Sequence, residues 1–579
     1  MKNLTIFFLT VALCAFKISF AQTDYTEVEK LKKELSAYIN KQMKFSKVTG
    51  ISIAVVDNQE VLWAEGFGYA DKENNIKATE KTVYRVGSVS KLFTATSIMQ
   101  LSDDNKVDIN GEVKTYIPEF NIKSRFSDKI IIRDLMTHHS GIPSDIFKDF
   151  FTDDTIDFET IITNLNNEYT CQPVNYINSY SNPAFSVLGC VIENVSGLDF
   201  LYYTQTKIFE PLEMFNSGFY LSENMKKLYA RGYIKDEPYN EPFIRDLPAG
   251  MLQSNVIDMS NFIKMTFDNG KFNGRQILDS ATLVEMQTPQ NDNCKRDLST
   301  VLGLCWWLTP ETDDWDYAGG IASHGGDTYV YHAELLTLPV EKLGVIVMTN
   351  SSTGIGLVRK IAYKSLEDFL KIQRGLTMPV EKKHSKLKLN KNSGLDYSGW
   401  EGDYSISSLY APIYKKGKFL KSKFNGTKVT LIPNSKGTFT PQVRLLGILR
   451  FAIKSQQLNF LEIENQKHII LIKDNDTTVI GVEFQKEELT EDWISRCGEY
   501  KIINDDNSLK LMENVTVFVE DGVLQLNGKA FNKSEMTFIV VPINEQEAII
   551  QGIGRSSGYT VTFTDNKFYF SGLEFEKVE

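Results

Sequence analysis

Histidine and cysteine are scarce in this chain, six of each in 579 residues. Cys14 lies in an N-terminal apolar stretch, which leaves Cys171, Cys190, Cys294, Cys305 and Cys497 beyond it. An odd, scattered set in a chain of this length excludes a disulfide framework. A Cys294–Cys305 pairing stays open. No Cys/His group has zinc-ligand spacing, and the adjacent His138 and His139 do not form the separated pair on one helix face that zinc peptidases use. The expectation is therefore no metal and no cofactor. Positive charge is not in excess either. The formal net charge of −11 argues against a nucleic-acid partner. Beyond the N-terminus no apolar run approaches the length needed to span a bilayer.

What is present is ordinary globular composition, 42% hydrophobic and 12% aromatic, enough for several buried cores. The N-terminus reads as a secretory signal. Lys2 supplies the positive end, Leu4 to Phe16 the apolar region, and Ser19-Phe20-Ala21 the small-x-small cleavage site before Gln22. Leu13 is too bulky for Cys14 to serve a usual lipoprotein site, and an uncleaved anchor is the competing reading. The expected location is exported, periplasmic or secreted, with no membrane association after cleavage.

Val28 to Met43 has the period of an amphipathic helix. Gly50 to Val56 and Val61 to Ala64 read as a hairpin about Asp57-Asn58. Ile130 to Pro143 reads as a short helix with a Gly/Pro stop, and Phe147 to Tyr169 as a surface helix pair or, less favoured, a lid. Strand-like runs come next at Tyr329–Leu338 and Leu343–Thr349, and a helix over Ile355–Leu370 closes the region. Strands from both ends of one segment, interleaved with helices, predict an α+β domain: one antiparallel sheet flanked by helices. The Lys-rich stretch 372–394 reads as a linker. Beyond it come short strands with turn signals at Asn425-Gly426 and Asp521-Gly522. Trp400-Glu401-Gly402-Asp403-Tyr404 resembles Arg496-Cys497-Gly498-Glu499-Tyr500, and their glycines lie 96 residues apart. That spacing predicts two barrel-like all-β domains, 395–489 and 490–579, with a single large sandwich as the alternative.

The chemistry concentrates in Arg85 to Ala95. Leu92, Ala95, Ile98 and Met99 place one apolar stripe on a helix, with Ser88 and Lys91 together on its first turn. A serine hydroxyl needs a base to become a nucleophile. A lysine can be that base if desolvation or neighbouring positive charge lowers its pKa from about 10.4. Ser-x-x-Lys also occurs by accident, as at Ser385 and Lys388. The first motif gains weight from two others later in the chain. One is Tyr180-Ser181-Asn182-Pro183, with Asn182 a plausible N-cap, and the other is His324-Gly325-Gly326-Asp327 before a strand. Tyr176-Ile177-Asn178 is a second Tyr-x-Asn, read as a packing aromatic. His138 and His139 read as capping or packing residues, and Trp306 and Trp307 as core or pocket wall.

Residues 22–371 resemble the serine β-lactamase and penicillin-binding-protein superfamily, nearest to the class C β-lactamase-like branch with its esterases and D-aminopeptidases. Three motifs stand in family order: Ser88-Val89-Ser90-Lys91, Tyr180-Ser181-Asn182 and His324-Gly325-Gly326. The segments Leu135–Pro143 and Ala249–Ser254 add to the likeness. The resemblance implies that Ser88 forms an acyl-enzyme and that Lys91 sits between Ser88 and Tyr180. It implies that Tyr180, its pKa lowered by positive charge, is general base and acid. Asn182 would bind Lys91 and the substrate amide. The N–H groups of Ser88 and Asp327 would form the oxyanion hole. Gly325 and Gly326 would let the strand approach substrate. Many relatives carry Lys-Thr-Gly where this chain has His324-Gly325-Gly326. A mostly neutral histidine there suits the esterase and peptidase branch better than penicillin hydrolysis. The expected function is an exported serine hydrolase acting on a small amide, peptide or ester, cell-wall fragments among the candidates. The alternative is a penicillin-binding or sensor-type protein without efficient turnover.

Overall fold

The computed structural model describes residues 26–152, 157–310, 315–379, 389 and 397–578, apart from 425, 446–448, 474–475, 506, 508, 511 and 531–533. The signal-peptide reading, most of the linker, and the Ser385/Lys388 decoy fall outside the described residues.

The first sheet is assembled from both ends of its segment. Helix α1 (residues 26–46) precedes β1 (Gly50–Asp57) and β2 (Glu60–Asp71). The long middle of the segment supplies α2 (Ser90–Asp103), α3 (Asn182–Ser196) and α4 (Val256–Phe267). The chain then returns through β3 (Ala322–Asp327), β4 (His332–Leu338) and β5 (Leu343–Thr349) to α5 (Ile355–Arg374). The sheet order is β3-β4-β5-β1-β2 with the short strand Ile76–Lys77 at the far edge, and every pairing is antiparallel. β1 and β5 join the two ends of the segment, with Ile51 opposite Thr349 and Val55 opposite Val345.

Alternation along β1 explains the layering. Ile53 and Val55 point to a core shared with α1 and α5, whereas Ala54 and Val56 point to the core that holds α2, α3 and α4. Both faces are covered, so the strand reads as a continuous apolar run. On one side the Trp63 ring stacks on Phe369 of α5, with centroids 6.3 Å apart. On the other, Phe93 of α2 lies between Phe209 and Phe262, at 5.6 and 4.5 Å. Each such buried ring contributes on the order of 1.5–3 kcal/mol.

α2 departs from the expected one-sided stripe: it is buried nearly all round, from Ser90 to Met99. Its polar residues are tolerated because they bond their own helix. Thr96 Oγ1 donates to the Leu92 carbonyl at 2.7 Å and Ser97 Oγ to Phe93 at 2.9 Å. The reading of residues 147–169 also needs correction. Thr160–Asn167 is a helix, but Phe151–Thr152 is a strand paired with Phe243–Ile244. Apolar side chains there find a cavity wall to join rather than a second surface helix.

The C-terminal part forms two all-β units, not one sandwich. The first is a ten-stranded sheet between Asp403 and Phe484, whose ends are brought together by a bridge from Gly402 to Ile413. The second is a closed eight-stranded barrel from Gly498–Ile502 to Leu573–Lys577. The weak repeat marks the first strand of each unit. Its tyrosines, Tyr404 and Tyr500, sit buried in the respective cores. The barrel interior is filled by side chains, among them Phe538, Phe563, Phe568 and Phe575.

Candidate active site

Ser88 lies in a 3-10 turn, Gly87–Val89, that runs into α2, one turn earlier than an α-helical start would place it. Ser90 pins this turn: its Oγ donates to the Gly87 carbonyl at 2.6 Å and accepts from Leu252 N at 3.0 Å. The edge strand β3 packs directly against it. A Cβ on Gly326 would fall 1.9 Å from the Val86 carbonyl oxygen and 3.0 Å from Ser88 N. Gly87 has φ +52°, and a Cβ there would meet Asp327 N at 2.7 Å. The need for glycine at 326 therefore comes from the protein's own turn, not from an approaching substrate backbone. Gly325 faces Glu334 and also lines the cavity.

Lys91 is wholly buried. Its Nζ lies 3.2 Å from Ser88 Oγ, 2.8 Å from Asn182 Oδ1 and 2.8 Å from the Ala249 carbonyl. Burial pushes its pKa down to about 7, and the Arg555 charge acts in the same direction. Two of the three partners are acceptors only. A neutral amine has two N–H groups for them and keeps its lone pair toward Ser88 Oγ. Tyr180 borders the cavity beside Ser88, whose hydroxyl acts on its phenol. Its pKa is raised, not lowered. Loss of solvation outweighs the Ser88 hydroxyl and the Arg555 charge, so Tyr180 remains a phenol that donates.

Asn182 is not the helix cap. Ser181 is, with extended backbone and its Oγ accepting from Ala184 N at 3.2 Å. That leaves the Asn182 amide free to bridge Lys91 and Asp145, to which its Nδ2 donates at 2.6 Å. His138 packs its ring on Tyr180, centroids 4.0 Å apart, and accepts from Ser181 N at Nδ1. Tyr176 lies elsewhere, under the Arg296 guanidinium and bonded to Gln466.

His324 is buried, with Nδ1 donating to the Gly325 carbonyl at 2.7 Å. Burial and the Lys91 charge push its pKa down to about 4, so it is neutral at physiological pH. Its Nε2 then carries a lone pair, without a partner among the described residues. Asp327 bonds His332 at 2.7 Å and Arg359 at 3.0 Å. Ser88, Tyr180, Asn182, His324, Gly325 and Asp327 all border one cavity of about 600 Å³. Phe150, Phe151 and Trp307 add an apolar wall.

Two of the cavity's residues carried no sequence signal of their own. Asp145 comes just after the short helix region, and Arg555 comes from a loop of the C-terminal barrel, more than 400 residues further on. The only trace is local: Gly552-Ile553-Gly554-Arg555-Ser556-Ser557-Gly558 is a Gly/Ser-rich loop holding one arginine. A third group was hidden by distance along the chain. His139, Cys294 and Asp297 bring one ligand-type atom each to within 4.8 Å of one another. Asp297 already accepts from Asn178 N at 2.7 Å and from Asn291, and it bonds His139 Nε2 at 2.8 Å. Burial and the Asp297 charge push the Cys294 thiol up to about 12. The cluster is a satisfied hydrogen-bond network and does not border the cavity. Cys294 and Cys305 are both free, so the pairing left open by the sequence is not made.

A family model described as Beta-lactamase matches residues 35–367, more than half of the chain. The chain belongs to the beta-lactamase family. "Protein flp" of Staphylococcus aureus (strain N315) is 24% identical to it over 347 residues. The match covers 55% of this chain and 63% of that protein. "Teichoic acid D-alanine hydrolase" of Staphylococcus aureus (strain MRSA252) is 31% identical over 236 residues, 39% of this chain and 55% of that one. The chain thus spans less than two thirds of the curated relatives it matches. The octameric penicillin-binding protein homologue from Pyrococcus abyssi shares the fold, with TM-score 0.51 and 23% identity over 78% of this chain and 99% of that one.

Proposed function

We propose that the protein is an exported serine hydrolase that cleaves a small amide, peptide or ester through an acyl-enzyme on Ser88. The observation that carries this reading is the Ser88 hydroxyl held between the Lys91 amine, at 3.2 Å, and the Tyr180 phenol, at the floor of an open cavity. Neutral Lys91 takes the Ser88 proton as Oγ attacks the carbonyl carbon. The N–H groups of Ser88 and Asp327 receive the developing oxyanion, brought together by the glycine contact between β3 and the Ser88 turn. As the bond to the leaving atom breaks, Tyr180 donates its proton there and is reprotonated from Lys91. Water then repeats the sequence on the acyl-enzyme and releases the acid. The neutral His324 ring supplies no positive charge for a substrate anion.

The test is intact-protein mass with product detection, after incubation with an activated ester, a penicillin and D-amino-acid amides. Wild type is expected to give a Ser88-dependent adduct or product that is absent in Ser88→Ala. Retained turnover in that variant would overturn the mechanism. A stable penicillin adduct without turnover would favour the sensor-type reading. Export is tested by N-terminal sequencing of the mature chain, expected to begin at Gln22.

A further inference from the structure

We propose that Arg555, delivered by the C-terminal barrel, forms a carboxylate subsite on the leaving-group side of Ser88, so that preferred substrates carry a free carboxylate on the group they release. This rests on the acyl-enzyme reading above and adds the substrate class.

The loop that carries Arg555 is docked, not merely nearby. Ser556 N donates to Ser144 Oγ at 3.2 Å, and Gln172 Nε2 donates to the Gly554 carbonyl at 3.3 Å. Tyr559 exchanges two bonds with the Asp145 backbone, at 2.8 and 2.9 Å. Gly558, with φ +80°, lies so close to Cys171 that a Cβ would fall 2.0 Å from its carbonyl oxygen. This framework sets the Arg555 guanidinium 5.3 Å from the centre of the Tyr180 ring. Tyr180 is the group proposed to protonate the leaving atom, which defines the side of the cavity that Arg555 serves.

Charge pairing around the cavity separates Arg555 from the other ionic groups. Glu241 is matched by Arg85 and by the backbone N–H groups of Tyr329 and Val330. Asp246 is matched by Arg245, and Asp327 and Glu334 share Arg359. Arg555 uses a single N–H, from Nη2 to Asp145 Oδ2 at 2.9 Å. Its Nε and Nη1 have no hydrogen-bond partner among the described residues, and its side chain is half exposed and borders the cavity. Asp145 also accepts from Asn182, so its charge is shared rather than spent on Arg555 alone. A guanidinium with its remaining donors open matches a carboxylate in a two-point fork. With His324 neutral, the cationic group needed to attract that carboxylate is supplied from the barrel.

The experiment uses the full chain and two matched thioesters, the benzoylglycyl esters of mercaptoacetate and of mercaptoacetamide, with thiol release as the readout. Wild type is expected to prefer the carboxylate by about tenfold to a hundredfold in kcat/KM, chiefly through KM. In Arg555→Ala that ratio should fall to about one, and Arg555→Lys should restore part of it. No preference in wild type, or an unchanged ratio in Arg555→Ala, overturns the subsite. Thermal melts of the variants separate loss of docking from loss of recognition: an undocked barrel lowers Tm and slows both thioesters together, which would also overturn it. Thiol release that persists in Ser88→Ala would instead refute the acyl-enzyme reading and leave the Arg555 ratio to be read on its own.

Discussion

Replacing Lys91 with methionine tests the central electrostatic claim, because burial of this amine is expected to act on both stability and rate. The pKa falls from its ordinary value of 10.5 to about 7 in a side chain with no exposed surface. A difference of that size corresponds to about 5 kcal/mol between the two protonation states. Between these two values the unfolded chain holds the proton and the folded chain does not. Folding stability contributed by this site therefore rises with pH, by up to about 1.4 kcal/mol per unit, and is lost as pH falls toward 7. Lys91→Met removes the dependence. It also strands the Asn182 Oδ1 and Ala249 acceptors, which costs about 1–3 kcal/mol each. The assay is urea unfolding of both proteins at pH 7, 8 and 9. The wild-type minus Lys91→Met difference should grow by about 2 kcal/mol over that range. In parallel, the rate of Ser88 acylation by an activated ester should rise through pH 7 and level off above it. Parallel stability curves, together with an acylation rate that keeps climbing toward pH 10, would refute a Lys91 that is neutral near pH 7.

Three further outcomes rest on named contacts. Tyr180→Phe keeps the ring packed on His138 but removes the proton donor; acylation should slow by about 10²–10⁴, with an unchanged far-ultraviolet circular dichroism spectrum. Gly326→Ala forces the edge strand off the Val86–Ser88 turn, so Tm and acylation rate should fall together, and a variant of wild-type activity would contradict the tight approach. Asp297→Ala leaves His139, Asn291 and Asn178 N without their acceptor and should cost about 3–5 kcal/mol in chemical denaturation while the cavity residues stay in place. In wild type the hydrogen bond and charge of His139 hold Asp297 below the usual carboxylate range despite burial, so this contribution is present at neutral pH and lost as pH falls below that range.

Local pattern alone determined a good deal. The period of Ile355–Leu370, the hairpin at Asp57-Asn58 and the strands at 329–349 depend on side chains within a few residues of each other, and the fold keeps them. The three motifs identified the cavity for the same reason. Ser88 and Lys91 are one turn apart, and Tyr180 and Asn182 are fixed relative to the helix that starts beside them. The protonation states were not legible. Lowering of Lys91 and raising of Tyr180 both come from burial, which depends on how α2, α3 and the Ala249 segment close around them. The cap assignment failed on backbone geometry: Ser181 is extended and Asn182 already helical, so the amide is spent on Lys91 and Asp145 instead. Arg555 lay beyond sequence reasoning altogether. Its place beside Tyr180 depends on a barrel docking through contacts that link residues 144–148 and 171–172 to 554–571, a separation at which no periodicity operates. Sequence determined which groups can do chemistry, since that is a property of residue type and short spacing. Tertiary structure decided their charge and their company, since both depend on what excludes water from them.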